Sequence, residues 1–296
     1  MANEAYHTRE YYNQQRRLLL YGDPRALVCF CVDVSESMGE WWIEEGGLKR
    51  DSGDGFSDGH NVRYFDLKDI RPGYAHYKKI DKLNETLCSL LTDLKLDRDL
   101  CSQVAVSIIS YSRFANVKYD FLDCEDLDVQ KCRCRVEKPE TAMADGIRTA
   151  LAQLDEMQNE LRNVDNDFYT PILIFMTDGT PTDDPRVEFA RVRERVEKGD
   201  LFVFPLGIGE GADMSRLRDL FPMGNIPFNF SERYKMIRPE DYEDIFKEIK
   251  NHVKQKQRVM VSEGNSVQSQ PALENRLVSN NQTGESVFYK CFSKVI

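Results

Sequence analysis

Ala26-Leu27-Val28-Cys29-Phe30-Cys31-Val32 is followed directly by Asp33-Val34-Ser35-Glu36-Ser37. The first stretch is apolar at every position, which is typical of a central strand in a parallel sheet covered on both faces. The second stretch places one carboxylate and two hydroxyls at alternate positions. In an open α/β sheet, ligands bind outside the carboxyl ends of the strands. These oxygen donors suit a hard cation such as Mg²⁺, so the stretch predicts a fold class and a metal site together.

Two later stretches are suited to complete that site. Residues 172–177 form a second apolar strand pattern, which ends in the carboxylate of Asp178. Thr141 lies between the two strands and opens the helical pattern of residues 142–151. Each piece falls at a strand end or a helix start, and we expect them to meet at one edge of the sheet.

These pieces resemble a known site. Asp33-x-Ser35-x-Ser37, Thr141 and Thr177-Asp178-Gly179, in that order, are similar to the metal-ion-dependent adhesion site (MIDAS) of von Willebrand factor type A (vWA) domains. Within this family, the sequence from Tyr169 to Asp184 is most similar to the bacterial TerY-like branch, which is associated with tellurite resistance. The resemblance covers about residues 26–255 and implies a Rossmann-like, doubly wound and mostly parallel sheet with helices on both faces.

The resemblance also implies a ligand set and a function. The cation is Mg²⁺, with Mn²⁺ or Ca²⁺ as alternatives, and its ligands are the hydroxyls of Ser35, Ser37 and Thr141 together with Asp33 and Asp178, directly or through water. A coordination position stays open for an acidic side chain of a protein partner. The implied function is a non-enzymatic interaction module in a bacterial tellurite-resistance, stress-response or phage-response system. A phosphatase or a kinase-like protein is the candidate partner.

Two other functions remain open. One is Mg²⁺-dependent phosphoryl transfer through Asp33, although aspartyl phosphatases carry a second aspartate where this chain has Ser35. The other is a structural subunit whose metal exchanges no ligand. The chain also departs from the family at the threonine loop, because Glu140 and Ala144 stand where the family commonly has glycine.

The composition narrows the class of protein. The 296 residues are 41% apolar and 30% charged, as in a soluble globular protein with a real core. A formal net charge of -10 argues against nucleic acid as a partner. No apolar stretch approaches the ~20 residues needed to span a bilayer, and the start of the chain lacks a signal-peptide core. Several of the eight cysteines fall on predicted core elements, which favours free thiols and a cytoplasmic location.

The alternation of strand and helix predicts three parts: an N-terminal arm at 1–25, a vWA domain at 26–255 with an insertion at 39–77, and a polar C-terminal tail at 256–296. The arm is either a helix packed on the domain edge or an exposed segment. The insertion (residues 39–77) is interpreted as a loop beside the metal and contains both tryptophans. The expected elements of the domain are helices beginning near 78, 142, 185, 213 and 242 and strands at 104–111, 116–121, 171–177, 201–208 and 228–230.

Three further motifs resemble a catalytic or metal-binding site but lack a feature that such a site requires. Gly55–Gly59 matches a nucleophile elbow but lacks the strand and helix that such a turn requires. The nearby Asp51, Asp54 and Asp58 do not have the spacing of an EF-hand calcium loop. Cys124, Cys132 and Cys134 lack a fourth zinc ligand close in sequence.

Overall fold

The computed structural model describes residues 9–43, 61–62, 68, 70–73, 76–178, 181–208, 228–229 and 258–259. In this part of the chain the α-helices are α1 (Arg9–Tyr21), α2 (Lys79–Leu96), α3 (Arg98–Cys101), α4 (Met143–Asn163) and α5 (Arg186–Glu197). The strands are β1 (Arg25–Asp33), β2 (Trp41–Ile43), β3 (Asn61–Val62), β4 (His76–Lys78), β5 (Val104–Tyr111), β6 (Ala115–Asp123), β7 (Phe168–Thr177), β8 (Phe202–Gly207), β9 (Phe228–Asn229) and β10 (Arg258–Val259).

The main sheet has the strand order β6-β5-β1-β7-β8-β9, and β10 pairs with the start of β7. Strands β5, β1, β7, β8 and β9 run parallel to one another, whereas β6 is antiparallel to β5 and β10 is antiparallel to β7. The predicted mostly parallel, doubly wound sheet is therefore confirmed.

Strand β1 lies at the centre of this sheet because apolar side chains cover both of its faces. Residues Ala26–Asp33 are all buried. Alternate residues of the strand enter two separate cores, one that contains the apolar stripe of α2 and one that contains those of α4 and α5. Helices thus pack on both faces, as the unbroken apolar pattern predicts.

The strand order also fixes where a ligand could bind. From β1 the chain passes to β5 on one side, and then to β7 on the other side. The crevice where the order reverses is the usual binding position in such a sheet. The register pairs Asp33 with Tyr111 of β5 and Val32 with Met176 of β7, so the polar residues that follow β1 and β7 emerge at the same edge.

The insertion begins and ends in regular structure. Strands β2, β3 and β4 form a small antiparallel sheet. Trp42 is fully buried and stacks on Tyr77 with ring centroids 5.0 Å apart. The interpretation of residues 39–77 as a loop is wrong at both ends, because pairing between segments distant in sequence outweighs the local glycine and aspartate content.

The N-terminal arm forms a helix that packs on the domain edge. Leu19 of α1 is buried in the core beside α4. Arg16 donates two hydrogen bonds to the carboxylate of Glu160 in α4 and also reaches Asp120 in β6. Of the two alternatives for the arm, the structure has the packed helix over Arg9–Tyr21, and residues 1–8 lie outside the described residues.

The domain also extends past residue 255. Arg258 and Val259 pair with Tyr169 and Phe168 at the start of β7. The helices expected from residue 213 and over 242–253, and most of the polar tail, lie outside the described residues.

The buried thiol of Cys29 should be unreactive in the folded protein. The described cysteines are free and buried, and burial raises the pKa of the Cys29 thiol to about 12. Since the thiolate is the reactive form, iodoacetamide at pH 8 should leave Cys29 unmodified in the native protein and modify it after unfolding in guanidinium. Peptide mass spectrometry measures this directly. Rapid labelling of native Cys29 would contradict the burial of β1.

Candidate metal centre

Asp33 is held rigidly at the end of β1. Its side chain is fully buried. The backbone N–H of Ser35 donates to Asp33 Oδ1 at 2.9 Å, and the Thr177 hydroxyl donates to Asp33 Oδ2 at 2.7 Å. One bond turns the chain immediately after the strand, and the other ties β1 to β7. Both carboxylate oxygens are therefore fixed by neighbours on the two central strands.

A chain of oxygen atoms connects the loop after β1 to the end of β7. Ser35 Oγ and Ser37 Oγ lie 3.0 Å apart, and Ser37 Oγ donates to Asp178 Oδ1 at 2.8 Å. Ser35 and Asp178 are buried, whereas Ser37 is half-buried. Two of the predicted hydroxyls and one predicted carboxylate therefore meet side by side, and Asp33 is joined to the same loop through the N–H of Ser35.

Thr141 reaches the same edge by way of its loop. The N–H groups of Glu137 and Glu36 bond to the carbonyls of Val34 and Lys138, so residues 134–141 run along the loop that carries the serines. The N–H of Ala142 bonds to the Ser112 carbonyl after β5 at 2.6 Å. Thr141 is buried between these anchors. All five residues predicted from the sequence are thus carried to the carboxyl edge of the sheet.

Residues that follow β7 support the threonine loop. The Thr141 N–H donates to the Thr182 hydroxyl at 3.0 Å, and the Thr182 N–H donates to the Thr141 carbonyl at 3.0 Å. Asp183 Oδ2 accepts from the N–H of Ala144 at 2.9 Å, in the first turn of α4. The absence of the family glycine at Ala144 is thus compatible with an ordered loop. Glu140 lies 3.7 Å from the guanidinium of Arg113.

Two carboxylates, those of Asp33 and Asp178, are buried at this edge and repel each other when both are ionised. Burial, followed by the neighbouring charge of Asp178, raises the pKa of Asp33 to about 7, against the opposing effect of its hydrogen bonds. A divalent cation between the carboxylates would favour their ionised forms. The electrostatics of the site are thus suited to a bound cation.

Lys79, which was not predicted from the sequence as part of the site, contacts this group. The Lys79 ammonium donates to Asp178 Oδ2 at 2.9 Å and to Glu40 Oε2 at 3.3 Å. Its side chain is only 2% exposed. A signal was present in the sequence, because Lys79 precedes Leu83 by four residues and so belongs to the apolar stripe of α2. A lysine on a buried stripe indicates a buried carboxylate partner.

The oxygen atoms gathered here are of the kind that binds a small divalent cation. Ser35 Oγ and Ser37 Oγ, and Ser37 Oγ and Asp178 Oδ1, lie 3.0 and 2.8 Å apart, which are the usual lengths of the hydrogen bonds between them. Hydroxyl and carboxylate oxygens are also the donors that hard cations prefer. Among the described residues, no group of three or more His, Cys, Asp or Glu is placed to hold a metal.

The family assignment agrees with this geometry. The model of the von Willebrand factor type A domain matches residues 75–251, which is more than half of the chain. The chain belongs to the von Willebrand factor type A domain family. The matched segment starts after the Asp33–Ser37 loop, and the structure adds β1 and that loop to the domain.

Solved structures are similar to this chain at low sequence identity. The D319A mutant of the PilB minor pilin from Streptococcus sanguinis has a TM-score of 0.50 and 14% identity, over 79% of this chain and 62% of that one. Proximal thread matrix protein 1 from the mussel byssus, with a zinc-occupied MIDAS motif, has a TM-score of 0.47 and 13% identity over 80% of this chain and 46% of its own. The chain therefore spans only about half the length of the mussel protein.

One more solved structure is similar to this chain. BatB from Bacteroides thetaiotaomicron has a TM-score of 0.46 and 14% identity, over 77% of this chain and 99% of that one. No curated protein matches the chain. Within the described ranges, no helix is long and apolar enough to cross a membrane.

Proposed function

We propose that this vWA domain is a divalent-metal-dependent protein interaction module that binds an acidic side chain of a partner through a MIDAS cation. The observation that carries the proposal is the meeting of the Ser35 and Ser37 hydroxyls with the Asp178 carboxylate at the carboxyl edge of the sheet, where such sheets bind ligands. Ser35, Ser37 and Thr141 would hold the cation through hydroxyls, with Asp33 and Asp178 acting directly or through water.

The choice of ligands explains why the partner should be acidic. Hydroxyl ligands are neutral, so they leave more of the positive charge of the cation uncompensated than carboxylates would. Magnesium also retains waters readily, which allows one position to exchange for a carboxylate of the partner. When bound, the cation supplies the electrostatic attraction for that carboxylate, and the described loops supply its orientation.

The finer assignment follows the resemblance of residues 169–184 to the TerY-like branch. We place the chain in the cytoplasm of a bacterium, within a tellurite-resistance, stress-response or phage-response system. Mg²⁺ is the proposed cation, with Mn²⁺ or Ca²⁺ as alternatives. A phosphatase or a kinase-like protein is the proposed partner, and neither nucleic acid nor a membrane is part of the proposal.

The proposed interaction is tested by capture from a bacterial lysate on the immobilised full chain. We expect one set of proteins to bind in Mg²⁺ and to be released by EDTA. The same set should be lost from a column of Asp33→Asn protein, which removes one charge with little change in size. A matched Asp155→Asn column, altered at an exposed aspartate that pairs with Arg195, should retain it. Capture that is unaffected by chelator and by Asp33→Asn would reject the metal-dependent module.

Phosphoryl transfer through Asp33 remains the second candidate. The buried ammonium of Lys79 beside Asp178 favours it, because a phosphoryl group also needs positive charge nearby. Against it, Asp33 is fully buried and both of its oxygens accept hydrogen bonds from neighbours, an arrangement ill suited to a nucleophile. Mg²⁺-dependent hydrolysis of p-nitrophenyl phosphate that is lost in Asp33→Asn would favour the enzyme, and its absence would favour the module.

A further inference from the structure

Lys79 is the least expected charged group of the described protein. It is the first residue of α2, and its side chain is 2% exposed. Its ammonium lies 2.9 Å from Asp178 Oδ2 and 3.3 Å from Glu40 Oε2. One oxygen of Asp178 therefore faces the serine hydroxyls, while the other is bound to a positive charge of the protein itself.

This placement is poorly explained by stability alone. The beginning of a helix carries partial positive charge, which disfavours a cation. A buried ion pair also contributes little stability compared with apolar residues of similar volume, because both charges lose their hydration. An apolar side chain at position 79 would continue the stripe of α2. The charge of Lys79 therefore points to a role at the carboxylates that it contacts.

The insertion holds Lys79 in place. Strand β4 ends at Lys78 and pairs with β2, where Trp41 lies opposite Lys78. The N–H of Lys79 donates to the Glu40 carbonyl at 3.2 Å. The segment that leaves the serine loop thus returns beside it, and it delivers the ammonium to Asp178. The structured ends of the insertion therefore place Lys79 at the candidate metal centre.

We propose that Lys79 is a positioning residue of the metal centre that also sets its charge. The ammonium holds Asp178 Oδ2, so that only Oδ1 is directed toward the serines and the cation site. It also adds one positive charge beside the cation, which weakens cation binding and makes the loaded centre more attractive to an acidic ligand. This inference rests on the proposed MIDAS function.

The test compares Mg²⁺ affinity of the full chain and of Lys79→Met by isothermal titration calorimetry. Methionine keeps an unbranched side chain that lacks only the terminal atom, and it removes the charge. We expect Mg²⁺ to bind about tenfold more tightly to Lys79→Met, because the loss of one positive charge beside the cation outweighs the loss of the contact that holds Asp178 Oδ2. In EDTA the variant should melt at a lower temperature than the wild type, because Asp178 and Glu40 lose the ammonium of Lys79. Saturating Mg²⁺ should recover most of that loss.

Two further variants sharpen the test. Lys82→Met removes a lysine one turn along α2 whose ammonium pairs with Glu85, an exposed residue, and it should leave Mg²⁺ affinity unchanged. Glu40→Gln leaves the ammonium of Lys79 to Asp178 alone and should weaken Mg²⁺ binding, an effect opposite in sign to that of Lys79→Met.

The possible results distinguish a failure of the proposed role of Lys79 from a failure of the proposed metal-dependent function. Mg²⁺ affinity that is unchanged or weaker in Lys79→Met, with an equal loss of melting temperature in EDTA and in Mg²⁺, would assign Lys79 a purely structural role and overturn the inference. Tighter binding to Glu40→Gln would also contradict it. A wild-type chain that binds no divalent cation would instead reject the proposed function itself.

Discussion

Asp33→Ala should abolish divalent-cation binding while the domain stays folded. Asp33 is fully buried at the end of the central strand and is fixed by Ser35 and Thr177. Changes next to metal ligands already cost 10–100-fold in affinity, so we expect the loss of this carboxylate to cost about 100-fold or more. Isothermal titration with Mg²⁺ or Mn²⁺ measures the effect. Circular dichroism in EDTA should report a cooperatively folded protein, because the substitution also removes repulsion between Asp33 and Asp178.

The matched control for Asp33→Ala is Asp155→Ala. Asp155 lies on α4, where its exposed carboxylate pairs with Arg195 at 2.7 Å. This variant should bind the cation as the wild type does. If Asp33→Ala also binds with wild-type affinity, Asp33 is no part of a metal centre, and its carboxylate serves only to hold the loop after β1.

Phe175→Ala should cause the largest loss of stability among single changes in the sheet. Phe175 of β7 is fully buried, stacks on Tyr111 at a centroid distance of 5.6 Å and meets the edge of Phe189 at 6.3 Å. Truncation of a buried phenylalanine removes its contacts and leaves a cavity, so the free energy of unfolding should fall by about 3–5 kcal/mol. Urea denaturation followed by circular dichroism measures this change.

The control for Phe175→Ala is Phe114→Ala, since Phe114 is 64% exposed. Its expected effect lies within about 0.5 kcal/mol. A small effect of Phe175→Ala, comparable to that of Phe114→Ala, would mean that the core between β5, β7 and α5 is not packed as described.

Much of the fold could be predicted because its elements carry strong patterns. The unbroken apolar run of β1 requires burial on two faces, and the strand appears within one residue of its expected bounds. The stripe of α2 requires burial on one face, and the helix begins one residue after its expected start. The strand over 171–177 begins earlier, at Phe168, because pairing with β1 and β10 extends it through Tyr169.

The small sheet of the insertion could not be predicted in the same way. Strands β2 and β4 are three residues each, too short to show a period, and they are separated by a segment rich in glycine and aspartate. Their pairing depends on the contact of Trp42 with Tyr77, which joins residues far apart in the chain. Sequence patterns report local preference, and this structure depends on a distant contact.

The candidate site was only partly readable from the sequence. The five predicted side chains follow elements with clear patterns, and parallel strands bring their carboxyl ends together. Lys79 and Glu40 were missed because their role depends on where the insertion returns. Thr182 and Asp183 were quoted only as part of a family resemblance, and their support of the Thr141 loop appears only in three dimensions.

The most direct test of the account is a crystal structure of the full chain grown with Mn²⁺, with anomalous data collected to locate the ion. If these residues hold a divalent cation, an anomalous peak will lie between Ser35 Oγ, Ser37 Oγ and Thr141 Oγ1, with Asp33 and Asp178 close by. A crystal in which Mn²⁺ binds elsewhere, while Ser37 still donates to Asp178 and no ion lies among the hydroxyls, would contradict it.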